Sequence, residues 1–173
     1  MAVSFEGFPR IIDAAALRPG RWFVAADGLR PVLGLATAVL DGDEPIALTF
    51  SADRVETVEF AAAKISSLGG PFGTMEDDIV FTPGLMAGGP TLTAPTRRAF
   101  RSGSLLRLRS GDMGLGFGGP GGELVVVSLA SGERAEAFDL VFERWTISLR
   151  RGAAETVLGS FKPANPLSAH RRG

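Results

Sequence analysis

The sequence contains few of the side chains that usually carry out chemistry. It has no cysteine, no tyrosine and a single histidine, His170, which lies in a polar stretch without a serine–histidine–aspartate context. The lack of cysteine excludes thiol catalysis, disulfides and thiolate metal sites. We therefore expect a protein that is not an enzyme, with no catalytic residue, metal ligand or cofactor. An enzyme that works through carboxylates alone is the third-ranked alternative.

Two acidic clusters could in principle bind a hard cation, which requires several oxygen ligands at once. They are Asp41-Gly42-Asp43-Glu44 and Glu76-Asp77-Asp78. Neither has the spacing of an EF-hand loop, and the first falls in a predicted hairpin loop while the second precedes a predicted strand. We interpret both as turn residues and as charges that protect a strand edge.

The segment Gly114-Leu115-Gly116-Phe117-Gly118-Gly119 matches the pattern GxGxxG. A dinucleotide site needs this loop to open a helix, whose N-terminus binds the pyrophosphate. Here Pro120-Gly121-Gly122 and then a predicted strand follow, so no helix can begin. A kinase-type glycine loop needs a downstream strand lysine, and none occurs before Lys162. We predict a hairpin loop that binds no nucleotide.

The densest group of basic residues is Arg97, Arg98, Arg101, Arg107 and Arg109. Strand alternation places the last two on one face, opposite two leucines. Nucleic-acid-binding barrels add aromatic side chains to such a face, and none interleaves these arginines. Salt bridges or a solvated face explain them equally, so nucleic acid is an alternative partner rather than the first choice.

The formal charge of −1 is unevenly divided along the chain. Residues 1–86 hold 6 basic and 12 acidic side chains, and residues 87–173 hold 12 basic and 7 acidic ones. An acidic half joined to a basic half favours head-to-tail self-association or binding of an anion, although two solvated surfaces would look the same. We select Arg171, Arg172 and Trp22 with the five arginines as partner-interface candidates.

The hydrophobic pattern has the period of two that is typical of strands. Residues 144–150 alternate cleanly, with Trp145, Ile147 and Leu149 on one face. Further strands are predicted at 21–26, 31–39, 78–82, 104–109, 113–117, 124–129 and 134–140. The only predicted helices are short, at Ile11–Leu17 and Phe60–Lys64.

Segments of the first half recur about 80 residues later, with Pro19-Gly20 matching Ser102-Gly103 and Ile65 matching Ile147. This pattern predicts an all-β protein with an internal duplication: two small barrel or sandwich units of about five strands each. The units are expected at residues 1–68 (acidic) and 99–161 (basic). A Gly/Pro-rich connector with one strand (69–98) and an extended tail (162–173) complete the chain.

Residues Phe100 to Phe117 resemble the opening hairpin of small SH3-like barrels. In general character, the chain also resembles the small β-rich accessory proteins of tailed-phage particles, such as head decoration or tail components. We therefore predict a non-enzymatic assembly protein, a homo-oligomer or a subunit of a larger complex, whose connector and tail lie against neighbouring subunits. A tandem-barrel protein that binds nucleic acid is the alternative.

Two features concern location. No apolar run approaches the roughly 18 residues of a membrane span. The first ten residues lack the basic start and apolar stretch of a signal peptide. We expect a protein of the cytoplasm or of a virion, without contact with a membrane.

Overall fold

The computed structural model describes residues 10–27, 30–52, 57–75, 77–84 and 100–161. This part of the chain is mainly β, as predicted, and contains no α-helix. Its strands are β1 (Ile11–Ile12), β2 (Trp22–Asp27), β3 (Arg30–Asp41), β4 (Glu44–Ala52), β5 (Val58–Lys64), β6 (Gly69–Thr74), β7 (Asp78–Pro83), β8 (Leu105–Leu108), β9 (Met113–Gly118), β10 (Leu124–Ser128), β11 (Phe138–Phe142), β12 (Trp145–Arg151) and β13 (Ala154–Phe161). Two short 3₁₀ helices, Ala14–Ala16 and Ile65–Ser67, precede β2 and β6.

The strands form three antiparallel sheets. The largest has the order β1-β6-β2-β3-β4-β5, the second has the order β10-β9-β8-β11, and the third has the order β13-β12-β7. Within the described residues no sheet closes on itself, so the predicted barrels are not observed.

The two halves share a local motif, a three-strand meander that follows a glycine turn. Gly20 and Gly103 both have positive φ, at 82° and 87°. Their N–H groups donate to Ala36 and Gly116 respectively, on the second strand of each meander. The central strand of each meander pairs with its two neighbours in the same register: Trp22–Leu35–Leu48 and Leu105–Leu115–Val127.

Beyond these three strands the halves differ. In the first half β5 pairs with β4 and extends the meander, whereas β11 pairs with β8, at the opposite side of the second meander. Ile65 lies in a 3₁₀ helix, and Ile147 lies in β12 of the third sheet. The prediction that residues 19–68 and 102–150 have one strand order is therefore wrong, and the structure does not confirm duplication of a whole unit.

The largest core cluster joins all three sheets. It contains Leu35 and Leu48 of the first sheet, Leu115 of the second and Trp145 of the third. Trp145 is only 1% exposed, and its indole N–H donates to the carbonyl of Gly103 at 2.7 Å. Two smaller clusters lie on the outer faces of the first and second sheets. The hydrophobic core thus spans both predicted units.

A close backbone contact fixes the first sheet against the second. β3 shifts register between Ala36 and Leu40, and within this irregular stretch the Ala38 N–H donates to the Gly132 carbonyl at 2.9 Å. Gly132 has φ of 70°, and a Cβ placed there would collide with backbone atoms of Gly20. Only glycine fits this approach, because both the conformation and the space exclude a side chain.

Several local predictions need correction. Phe60–Lys64, predicted as a helix, lies in β5, because pairing with β4 overrides the helix preference of three successive alanines. The first predicted helix, Ile11–Leu17, contains a short strand and one 3₁₀ turn. The connector contains two strands in its described part, β6 in the first sheet and β7 in the third, where one strand was predicted.

The return strand predicted at residues 134–140 is also different. Arg134 makes only an isolated bridge to Val127 of β10, and the chain then crosses to form β11 beside β8. The other predicted strands are confirmed, and their ends agree with the observed ends to within two residues.

Candidate protein-interaction site

An apolar cleft of about 210 Å³ opens where the three sheets meet. The first sheet contributes Trp22, and the other lining residues are Ile79, Phe81, Asp112, Met113, Leu129 and Ala130. We call these seven residues the Trp22 cleft. Strand alternation explains the placement of Trp22, because its neighbour Phe23 turns to the opposite face and is fully buried.

The apolar lining of the Trp22 cleft, which we call its floor, includes the rings of Trp22 and Phe81, and these pack against further aromatic side chains. The ring of Trp22 lies 5.8 Å from that of Phe81 and 5.7 Å from that of Phe50, in tilted arrangements. Phe81 in turn lies 5.3 Å from the buried Trp145. The cleft is therefore a partly open edge of the main core, and its shape is supported by packed aromatic side chains.

The two tryptophans differ in their polar contacts. The indole N–H of Trp145 has a backbone acceptor, whereas that of Trp22 makes no hydrogen bond among the described residues. Trp22 is also partly exposed. A partly buried indole N–H gains from an acceptor, so the Trp22 side chain offers a bound group both apolar surface and one donor.

One carboxylate lies at the rim of the cleft. Asp112 ends the turn between β8 and β9, where Gly111 has φ of 94°. Its carbonyl accepts a hydrogen bond from Leu108 N–H at 2.8 Å, and its carboxylate accepts one from the Ser110 hydroxyl at 3.1 Å. These bonds hold an exposed negative charge beside the apolar floor.

Of the two arginines predicted to share a strand face, Arg107 lies in β8 and Arg109 follows the end of that strand. Arg107 is exposed, and it donates two hydrogen bonds to Asp139 of β11, at 2.9 and 2.7 Å. This bidentate contact lowers the pKa of Asp139 and raises the pKa of Arg107. Arg107 of the predicted cluster is thus paired with a carboxylate of the neighbouring strand. Arg101 and Arg109 are exposed as well.

The remaining predicted interface arginines, Arg97, Arg98, Arg171 and Arg172, lie outside the described residues. Residues 100–161 contain seven arginines and seven carboxylates, so this part of the basic half is neutral. Residues 85–99 and 162–173 contain five basic side chains and no acidic one: Arg97, Arg98, Lys162, Arg171 and Arg172. The basic excess of the second half therefore resides entirely in these two segments.

The motifs considered for a nucleotide or a cation lie in turns and strands. Most of the glycine-rich segment, residues 114–118, belongs to β9 rather than to the predicted loop, and only residues 119–122 form the turn to β10, in which Gly119 N–H donates to the Glu123 carbonyl at 2.7 Å. The first acidic cluster forms the turn between β3 and β4, where Asp41 contacts Lys64 and Glu44 accepts the N–H of Ser66. Hydrogen bonds from Ser66, first from its side chain and then from its backbone N–H, lower the pKa of Glu44.

The second acidic cluster is described except for Glu76. Asp77 accepts hydrogen bonds from Arg151, and Asp78 begins β7. Among the described residues, no three histidine, cysteine or acidic side chains come together in a way that could hold a metal ion.

Sequence reasoning selected Trp22 but missed the other six residues of its cleft. Ile79 and Phe81 belong to a strand predicted inside a connector, and Asp112 and Met113 to a hairpin considered for its arginines. No spacing links these segments, because they meet only through packing of separate sheets. Phe23 and Trp145, the two large aromatic residues next to or resembling Trp22, are both core residues.

Comparison with protein-family models, with curated proteins and with solved structures finds no match for this chain. In the part of the chain that the structure describes, none of the helices has the length and apolar character needed to cross a membrane.

Proposed function

We propose that this protein is a non-enzymatic assembly protein, which docks on copies of itself or on a larger complex through the Trp22 cleft. The observation that carries the proposal is the partly exposed Trp22, whose ring packs against that of Phe81 in the cleft and whose indole N–H has no acceptor among the described residues. Tryptophan side chains in such settings often supply much of the energy of a protein interface.

The chemistry of the cleft defines the partner group. The floor fits one apolar side chain, the indole N–H fits a backbone carbonyl, and the Asp112 carboxylate fits a nearby basic side chain. A protein segment supplies all three, and this chain itself contains such segments in its basic stretches, 85–99 and 162–173. We therefore propose a second copy of the chain as the first partner.

Mass measurement in solution over a range of concentrations tests this proposal. We expect the full chain to self-associate, and Trp22→Ala to weaken association at least tenfold, because a buried interface tryptophan contributes about 2 kcal/mol or more. Leu124→Ala is the matched control, since Leu124 is a 45% exposed apolar residue outside the cleft. A chain that stays monomeric to about 1 mM contradicts self-assembly.

The setting that we propose is a virion accessory component of a tailed phage, either a head decoration or a tail protein. Its support is the general character of the chain, a small mainly β protein with two segments, 85–99 and 162–173, whose charged residues are all basic. Incorporation of the full chain into purified particles, compared with Trp22→Ala, is the corresponding assay. Particles that incorporate both proteins equally contradict this role of the cleft.

Nucleic-acid binding is the second candidate function, supported by the concentration of five basic and no acidic residues in segments 85–99 and 162–173. Binding through phosphates releases counterions, so affinity should fall steeply with salt. Replacing Arg97 and Arg98 by serine should weaken binding, while Arg107→Ala, which removes an arginine already paired with Asp139, should have less effect. No binding of an oligonucleotide at about 50 mM salt excludes this candidate.

We also propose that the two meanders descend from one ancestral three-strand unit. The shared glycine turns and the shared register of three strands support this, while the differing fourth strands limit the duplication to the meander. We propose a small-barrel architecture only for that ancestral unit, because no sheet closes on itself among the described residues of the present chain.

A further inference from the structure

The outer edge of β7 lies directly beside the Trp22 cleft. β7 is the last strand of the third sheet and, among the described residues, pairs only with β12, without any register shift. Just beyond the last residue pair, Trp145 with Pro83, the Gly84 N–H donates to the Arg144 carbonyl at 2.8 Å. This bond fixes which residues of β7 direct their backbone groups towards β12.

Hydrogen-bonded and non-hydrogen-bonded residue pairs alternate along two antiparallel strands. Counting back from Gly84, the residues that exchange hydrogen bonds with β12 are Thr82, Val80 and Asp78. Ile79 and Phe81 therefore direct their N–H and C=O groups to the outer edge, as does Pro83, whose missing N–H costs nothing there. In the part of the chain that the structure describes, no group hydrogen-bonds to the outward N–H and C=O of Ile79 or Phe81.

The edges of the second sheet are protected in ways that the edge of β7 is not. On the outer side of β10 the Ala135 N–H donates to the Val126 carbonyl, and β11 carries a register shift between Phe138 and Leu140. Such a bulge turns a strand edge away from a flat partner. The regular edge of β7 is therefore a ready template for another strand.

We propose that two copies of this chain join through their β7 strands, antiparallel and about a two-fold axis at Val80, so that their third sheets form one six-stranded sheet. In this register Ile79 of each copy pairs with Phe81 of the other, and all the outward N–H and C=O groups of both residues find partners. The inference rests on the proposed self-association and names the strand that carries it. That strand borders the Trp22 cleft, because the side chains of Ile79 and Phe81 line it.

The side chains on the other face of β7 fit the same register. Asp78 of one copy comes opposite Thr82 of the other, and both are exposed, so a hydroxyl can donate to each carboxylate while the two carboxylates stay apart. Val80 meets its own copy on the axis. A slip of two residues in one direction places Ile79 opposite Pro83, which has no N–H for the Ile79 carbonyl. The opposite slip places the charged Asp78 against the apolar Val80.

Cysteine cross-linking tests this register directly, because the natural chain has no cysteine. Val80→Cys places the two sulfurs in a non-hydrogen-bonded pair, the closest type of pair in antiparallel strands, so we expect a disulfide-linked dimer on mild oxidation. Thr82→Cys is the matched control on the same face of β7. Its two copies would lie roughly 14 Å apart, so it should cross-link at least tenfold more slowly. Equal rates for the two variants overturn the register.

Two further measurements check the pairing. Proteins with Asp78→Cys and with Thr82→Cys should each cross-link slowly alone but at least tenfold faster when mixed, and a mixture that shows no gain overturns the register. In the unmodified chain, the amides of Ile79 and Phe81 should exchange hydrogen at least tenfold more slowly above the concentration at which the chain associates than below it. The Val80 amide, which is already bonded to β12, should change less. Exchange at Ile79 and Phe81 that does not depend on concentration overturns the pairing.

These experiments separate the β7 pairing from the proposed function. Association that Trp22→Ala weakens, together with equal cross-linking of Val80→Cys and Thr82→Cys, overturns the pairing and leaves docking through the cleft intact. Rapid cross-linking of Val80→Cys, with association unchanged by Trp22→Ala, supports the pairing and contradicts the role of the cleft. A chain that stays monomeric to about 1 mM contradicts both.

Discussion

The contact between Gly132 and the first sheet gives a sharp test of how the two meanders are held together. A methyl group at Gly132 would lie 2.5 Å from the Ala36 carbonyl oxygen and 2.9 Å from the Pro19 carbonyl carbon, and it would also collide with the Gly20 nitrogen. All three obstacles are backbone atoms, which cannot rotate away. Gly132→Ala must therefore separate the two sheets locally.

The magnitude can be worked out from the geometry. The positive φ of 70° costs alanine roughly 1–2 kcal/mol. Overpacking adds about 1–3 kcal/mol, and loss of the bond from Ala38 N–H adds about 1 kcal/mol. We expect Gly132→Ala to lower the free energy of unfolding by about 3–6 kcal/mol, which in a chain of this size lowers Tm by roughly 10–20 °C.

Gly42→Ala is the matched control. Gly42 has φ of 67°, in the turn between β3 and β4, and an added methyl would meet nothing within 4 Å. It should cost only the conformational part, about 1–2 kcal/mol. Urea unfolding followed by far-ultraviolet circular dichroism measures both variants, with the m-value as a check that the same transition is compared. Costs within about 0.5 kcal/mol of each other would refute the reasoning, because the contact between the sheets would then contribute nothing.

Two further predictions concern particular side chains. Trp145→Phe should lower the free energy of unfolding by about 2–4 kcal/mol, because it creates a cavity and leaves the Gly103 carbonyl without its donor. Trp22→Phe, at a partly exposed site where the indole N–H has no acceptor among the described residues, should cost about 1 kcal/mol or less. Urea unfolding compares the two variants, and the reverse order contradicts this packing. The hydrogen bonds from Arg107 lower the pKa of Asp139 from its ordinary value of 3.8. Ionised Asp139 therefore stabilises the folded state fully at pH values above 3.8. This contribution is lost as the pH falls through the lowered pKa. Asp139→Asn should therefore flatten the acid side of the stability–pH curve, most clearly at low salt, and an unchanged curve would show that the exposed pair contributes nothing.

Local chemistry was sufficient to predict the hairpins. Alternation in residues 144–150 predicted β12, because a strand exposes its two faces to different surroundings at successive residues. The turns after β3 and β9 were predictable for a related reason: acidic residues with glycine, or glycine with proline, favour the reversed backbone that joins antiparallel strands. Each of these turns is formed by residues that are near in sequence.

The alignment of the two halves shows where local pattern stops being sufficient. The sequence pattern aligns Leu33-Gly34-Leu35 with Leu115-Gly116-Phe117, so that Leu35 falls on Phe117. The strand register instead makes Leu115 the counterpart of Leu35, two residues away. A shift of two keeps every side chain on the same face of a strand, so the alternating pattern cannot detect it. The paired hydrogen bonds of the neighbouring strands decide the register.

Other features depend on contacts between residues that are far apart in the sequence. Three alanines in Phe60–Lys64 prefer a helix when considered alone, but the free edge of β4 makes them a strand. The Trp22 cleft requires β2, β7 and the turn before β9 to meet, and their separations in sequence carry no signal of that meeting. Likewise the charge of Arg107 was visible in the sequence, but its pairing with Asp139 follows from β11 crossing to β8. The sequence by itself determined which segments are strands and where many of them turn, because those choices are local. The tertiary structure alone decided which strands are neighbours. Many strand pairings satisfy the same alternation, and only packing of the shared core selects among them.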